Sequence, residues 1–133
     1  MSLKHTKAVF YMVRRLAKVY GLDSDQLDIA LASAILHDIG KPLEIKNGGS
    51  SPFKHDVLGA RIILHAKPPQ SASKGKIWIA ISIAGVVERH MGIWGTSSVA
   101  IENMSDVEQV VHLADYMAAQ NKIVFEDIDS INS

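Results

Sequence analysis

Six histidines and no cysteine decide what chemistry this chain can do. Without thiolates there is no disulfide, no cysteine nucleophile and no Cys-based zinc or iron–sulfur site, so a transition metal has only imidazole and carboxylate to bind. The histidines are His5, His37, His55, His65, His90 and His112. His37-Asp38 closes a helix-forming stretch rich in Leu, Ile and Ala, where a carboxylate is costly unless a counter-charge meets it. A bound cation would do so. Asp115 repeats the situation between Leu113, Ala114 and Met117. His5 stands four residues before Val9 and shares the stripe of the first helix, one turn nearer its start. His5, His37, Asp38 and Asp115 can converge from three helices, and two imidazoles with two carboxylates suit a first-row divalent ion better than magnesium. His55 and His90, each at one end of an expected helix, complete a second position if Asp38 is shared. Two ions about 3.5–4 Å apart would draw a nucleophile from water and stabilise the charge of an in-line displacement.

These residues need helices to hold them. Leu3 to Tyr20 reads as an amphipathic helix, with Val9, Val13, Leu16 and Tyr20 on one face, ended by Gly21. Asp23, with Gln26 three residues on, caps a second helix from Ser24 to about Asp38. That helix is apolar nearly all round and is expected to be the buried central one. Gly40-Lys41-Pro42 stops it, and Leu43 to Ser50, with Asn47-Gly48-Gly49, reads as loop. Ser51-Pro52 opens a third helix that runs to about Ala66, before Pro68-Pro69. Ser105 with Glu108 caps a helix through about Gln120, and a short tail follows. Lys76 to His90 is ambiguous. Its alternating Ile77, Ile79, Ile81 and Ile83 read as a strand, whereas its length and the lack of a pairing partner favour helix. The isoleucine series is expected in the core.

Lys+Arg and Asp+Glu are both 14, so no broad basic surface exists for an extended nucleic acid. Neither an apolar leader nor a run long enough to span a bilayer is present, and a cytoplasmic, soluble protein is expected, with no membrane partner. Other residues near the candidate ligands carry weaker readings. His65 lies ten residues past His55, about 15 Å along one helix, too far to share a centre. His112 shares a helix face with Asp115 and either orients it or sits in the core. Lys41 follows the His37-Asp38-Ile39-Gly40 turn and can place an ammonium near a phosphate. Glu44 is a weakly supported leaving-group acid. Arg61 points away from the site. Met91 and Trp94, after His90, offer a surface for a base or packing for a lid.

The ordered series His5, His37-Asp38, His55, His90 and Asp115 resembles the HD-domain superfamily of metal-dependent phosphohydrolases. Its most specific part is Leu36-His37-Asp38-Ile39-Gly40-Lys41; Lys54-His55-Asp56, Arg89-His90 and Leu113-Ala114-Asp115 add ordered matches. The resemblance implies an all-α fold, a single HD-type bundle of about five to six helices over residues 1–133, and makes Lys76–His90 helical. It implies one ion on His5, His37, Asp38 and Asp115 and a second on Asp38, His55 and His90, drawn from iron, manganese, cobalt, nickel or zinc. The implied reaction is hydrolysis of a nucleotide or similar small phosphate ester or anhydride, with Asp38 and Lys41 catalytic and Lys41 and Trp94 on the substrate. The alternative is an HD sensor module that holds metal and ligand with little turnover; a two-iron oxygenase is a third. Two features depart from parts of the superfamily. Arg89-His90 stands where many two-metal members carry paired histidines. Gly92-Ile93-Trp94-Gly95 stands where the cyclic-dinucleotide phosphodiesterases carry Gly-Tyr-Pro, while His90 with Gly92 after it is similar to the branch that cleaves dinucleoside polyphosphates.

Overall fold

The computed structural model describes residues 3–46, 53–66 and 74–120. Among the described residues there are six α-helices, two short 3₁₀ turns and no strand. Helix α1, Leu3–Tyr20, buries Ala8, Val9, Val13 and Ala17 along one face. It closes where Gly21 N–H reaches the Lys18 carbonyl and Leu22 N–H reaches that of Ala17, so two terminal acceptors are satisfied. Helix α2, Ser24–Leu36, opens on the reciprocal cap expected of Asp23 and Gln26: Gln26 N–H donates to Asp23 Oδ1 at 2.8 Å and Asp23 N–H to Gln26 Oε1 at 3.0 Å. It ends at Leu36, earlier than expected, and residues 37–40 form a turn.

Helix α3, Lys41–Lys46, stands where the sequence predicted loop. Pro42 falls in its first turn, where an N–H has no intrahelical partner to lose. The expected turn at Asn47-Gly48-Gly49, the cap at Ser51-Pro52, the break at Pro68-Pro69 and the tail after Gln120 lie outside the described residues. Helix α4, His55–His65, starts at His55, after a non-helical Phe53 and an extended Lys54, so it begins later than the Ser51-Pro52 cue implied.

Helix α5, Lys74–Arg89, resolves the ambiguous segment as helix. Its isoleucines are not core: Ile77, Ile79 and Ile81 are 43%, 50% and 43% exposed, and α5 buries Ala84, Val86 and Val87 instead. The division runs along the helix: residues 75–79, 81 and 82 are all exposed, and only the last turns of α5 reach the core. The 3₁₀ turns, Gly92–Trp94 and Ile101–Asn103, lead to helix α6, Asp106–Ala118, opened by the expected Ser105–Glu108 reciprocal cap.

The core is made of Val9 and Val13 from α1, Ala30 and Ala34 from α2, Val86 from α5, and Val107, Val110, Val111 and Ala114 from α6. Helix α2 packs against α1, α5 and α6, and its alanines let all three approach closely. It is not buried all round, however: Ile35 is 53% exposed and Asp28 faces solvent. Among the described residues, no helix is long and apolar enough to cross a membrane.

Candidate metal centre

Each candidate ligand sits at a helix end or on a helix face that the local sequence fixes. His5 lies in the first turn of α1, His37 and Asp38 in the turn that ends α2, His55 at the first residue of α4, His90 directly after α5, and Asp115 inside α6. The turn after Asp38 is pressed onto α4. A Cβ on Gly40 would run into the His55 carbonyl oxygen and stand 2.6 Å from Gly59 N, so the approach requires glycine. That approach brings Asp38 to His55.

The structure gathers all six residues into two adjoining groups, His5, His37 and Asp115 in the first and Asp38, His55 and His90 in the second. In the first group, His5 Nε2 is 2.8 Å from Asp115 Oδ1, and His37 Nε2 is 3.3 Å from His5 Nε2 and 3.4 Å from Asp115 Oδ1. Asp38 joins the groups: Oδ2 is 3.2 Å from His37 Nε2 and Oδ1 is 3.4 Å from His55 Nε2. Asp115 also faces both ways, with Oδ2 at 4.0 Å from His90 Nε2, a second link the sequence did not reveal. The His37 ring lies 5.3 Å from that of His5 and 5.2 Å from that of His90.

Backbone carbonyls, which can only accept, fix two tautomers. His37 Nδ1–H donates to Ala34 O at 2.7 Å and His90 Nδ1–H to Val87 O at 2.6 Å, so both present Nε2 to the centre. Glu44 does the same for His55, accepting from its Nδ1 at 3.1 Å and also from its backbone N–H. Glu44 is therefore placed to orient the His55 ring.

The charges are tightly balanced. Burial pushes the His37 imidazole down, but hydrogen bonds and charge from Asp115 and Asp38 outweigh it and raise its pKa to about 10. Burial pushes Asp38 up, yet His37 and then Lys41 bring it down to about 2. Asp115 is likewise held well below the usual carboxylate range: burial opposes ionisation, while hydrogen bonds from His37 and His5 favour it. His90 goes the other way. Burial lowers it to about 4, against the opposing pull of the Val87 carbonyl and Asp115. Its Nε2 is fully buried and has no hydrogen-bond partner among the described residues. An unpartnered buried lone pair is costly, and a cation shared with Asp38 and His55 would satisfy it. The donor set, four imidazoles and two carboxylates, fits a first-row divalent ion.

Around this centre the remaining sequence candidates separate. Lys41 Nζ is 3.6 Å from Asp38 Oδ2, with the side chain 41% exposed at the rim. Trp94 lies parallel to Tyr116. His112 does not orient Asp115; its Nδ1–H donates to the His90 carbonyl at 2.7 Å. His65 is an exposed helix-end residue, and Arg61 turns away to lie over the Phe53 ring at 4.2 Å. Arg89 pairs with Glu108 at 2.8 Å, away from the ligands. The sequence reading missed Asp56. It is fully buried beside His55 and takes hydrogen bonds from Thr96 N–H at 2.7 Å and Thr96 Oγ1 at 2.9 Å. The cost of a carboxylate in an apolar helix, the argument applied to Asp38, applies equally to Asp56 ahead of Val57-Leu58.

A helical bundle that draws imidazoles and carboxylates from separate helices into two adjoining groups is consistent with the binding of divalent metal ions. The family model described as HD domain matches residues 2–120, and the chain belongs to that family, whose members are typically phosphohydrolases. Comparison with curated proteins and with solved structures returned no match.

Proposed function

We propose that this chain is a metal-dependent phosphohydrolase acting on a nucleotide or similar small phosphate ester or anhydride, with His5, His37, Asp38, His55, His90 and Asp115 as the metal ligands. The observation that carries this reading is the His90 Nε2 lone pair, buried without a partner and grouped with Asp38 and His55, next to a second three-ligand group that Asp38 also touches. Divalent ions held there supply an activated water and electrophilic compensation for charge on a phosphoryl group. Asp38, with one oxygen toward each group, sets their relative position and can orient the attacking water. Lys41 brings the remaining positive charge. Its ammonium, already over Asp38 at the rim, can turn to a non-bridging phosphate oxygen and neutralise the charge that grows there. Glu44 keeps the His55 Nε2 aimed at Asp38.

The test is metal analysis of purified protein together with phosphate release from nucleoside monophosphates, cyclic nucleotides, dinucleoside polyphosphates and aryl phosphates. Asp38→Ala is expected to lose both metal and hydrolysis. Metal content unchanged in that variant removes Asp38 from the centre. Two bound ions with no turnover on any ester make the chain a metal-holding binding module instead.

A further inference from the structure

We propose that one face of α5 is a self-recognition surface, on which a second copy of this chain packs antiparallel about a two-fold axis at Ile81–Ser82. The face is set by spacing. Trp78, Ile81, Ser82, Gly85 and Arg89 follow one another at three, one, three and four residues, which places them in one stripe along the helix. Helix α4 packs on the opposite side of α5, where Gly59 approaches Val87, so it leaves the stripe uncovered.

The two halves of the stripe differ. The N-terminal half stands clear of the bundle: Trp78 is 66% exposed and Ile81 43%. The C-terminal half lines a groove of about 470 Å³ whose other walls include Ile29 of α2 and Val107 of α6. The polar side chains of that groove are already bonded within the chain. Ser82 Oγ donates to the Trp78 carbonyl at 2.9 Å, Arg89 Nη1 donates to Glu108 Oε2 at 2.8 Å, and Ser105 Oγ accepts from the Glu108 N–H in the cap of α6. The groove therefore asks its occupant for apolar surface rather than for hydrogen bonds. At Gly85 its floor is open, since a Cβ there would find no atom nearer than Arg89 Nη1 at 3.9 Å.

An indole is such an occupant, and the chain carries one on the same stripe. Trp78 and Gly85 stand equally far on either side of the Ile81–Ser82 point. An antiparallel copy crossing there sets Trp78 of each chain on Gly85 of the other, and both exposed halves are covered at once. Charge selects the direction. Between Asp56 and Glu88 the chain has no acidic residue, but it has Arg61, Lys67, Lys74 and Lys76. The far end of the groove holds Glu88, Glu108 and Asp106, the neighbour of Ser105, against Arg89 alone. An antiparallel partner brings its Lys74–Lys76 turn to that acidic end, whereas a parallel one sets basic turn against basic turn. The same surface is used on both chains, so the contact closes at two copies.

Sedimentation equilibrium of the full chain is expected to show a monomer–dimer equilibrium. Trp78→Ala should raise its dissociation constant by about 30-fold or more, the loss expected of a central aromatic anchor. Its helical circular dichroism should match the wild type, because Trp78 packs little within one chain. A second measurement removes no contact. The chain has no cysteine, so Ser82→Cys places a single thiol per copy beside the two-fold axis, where Cα atoms within about 7 Å can be bridged. Air oxidation is expected to give a covalent dimer faster than with Val19→Cys, at an 81% exposed position of α1. A monomer at every concentration overturns the proposal, whether the face is then bare or taken by residues 121–133. So does a Trp78→Ala dimer as tight as the wild type, or equal cross-linking of Ser82→Cys and Val19→Cys.

Discussion

Substituting Gly40 by alanine tests how the proposed metal ligands are brought together. The added Cβ meets backbone on two sides, the His55 carbonyl oxygen and Gly59 N, the latter at 2.6 Å. Ordinary heavy-atom contact lies near 3.5–4.0 Å, so the turn carrying Asp38 has to retreat from α4 by about 1 Å. Neither partner can rotate away as a side chain would. Overpacking of this kind costs about 1–3 kcal/mol, which in a chain of this size lowers Tm by roughly 5–15 °C. The retreat also opens the 3.4 Å pair of Asp38 with His55, and a misplacement of about 1 Å can cost on the order of 100-fold in rate. Thermal melts, metal content and phosphate release then read the three effects together. Two other glycines calibrate them. At Gly59 the tight contacts of a Cβ are side-chain methyls, Val87 Cγ1 at 3.1 Å and Ile39 Cγ2 at 3.3 Å, and the backbone Gly40 N stands at an ordinary 3.5 Å, so Gly59→Ala should cost less. At Gly85, inside α5, the nearest atom is Arg89 Nη1 at 3.9 Å, and Gly85→Ala should be neutral or stabilise by up to about 1 kcal/mol. Wild-type melting and full metal content in Gly40→Ala, or a Gly85→Ala variant as damaged as Gly40→Ala, would refute the reasoning from close approach.

Three further outcomes are expected. Glu44→Ala removes the acceptor that holds the His55 ring and should weaken metal retention or hydrolysis about 10- to 100-fold; unchanged metal retention and activity dismiss the orienting role. Lys41→Ala should lower kcat/KM by about one to two factors of ten with metal content unchanged, and Lys41→Arg should recover part of that; a wild-type rate in Lys41→Ala removes the phosphate contact. With a chelator present, the raised His37 pKa contributes stability that is complete below about 6.5 and lost as pH rises through about 10. The lowered His90 pKa contributes stability present above about 6.5 and lost as pH falls toward about 4. Denaturant midpoints that stay flat between pH 6.5 and 10 contradict the His37 assignment.

Helix ends with short-range cues were legible in the sequence. The Asp23–Gln26 and Ser105–Glu108 caps and the close of α1 at Gly21 each depend on residues within one turn, so spacing alone carries them. The series from His5 to Asp115 was legible for a different reason, a resemblance that covers the order of ligands rather than any local signal. What escaped depends on partners distant in sequence. Nothing near Glu44 indicates His55, and nothing near Asp56 indicates Thr96. Helix α3 was hidden because Gly40 and Pro42 read as breakers although proline is tolerated in a first turn. The exposed isoleucines of α5 were misplaced because hydrophobic type does not say how far along a helix the core extends.

The two ligand groups also differ in when the chain can make them. Asp38, His55 and His90 lie within the span from the end of α2 to the end of α5, so a growing polypeptide carries that whole set once residue 90 has emerged. The pairing of His5 with Asp115 spans 110 positions and cannot close until nearly all of α6 exists. Loop-closure entropy opposes so distant a contact. An ion that bound only the closed form would act by mass action as a clasp between α1 and α6, more strongly as the free ion concentration rises. The His5–Asp115 half of the site therefore depends on α6, whereas Asp38, His55 and His90 come from segments that precede it.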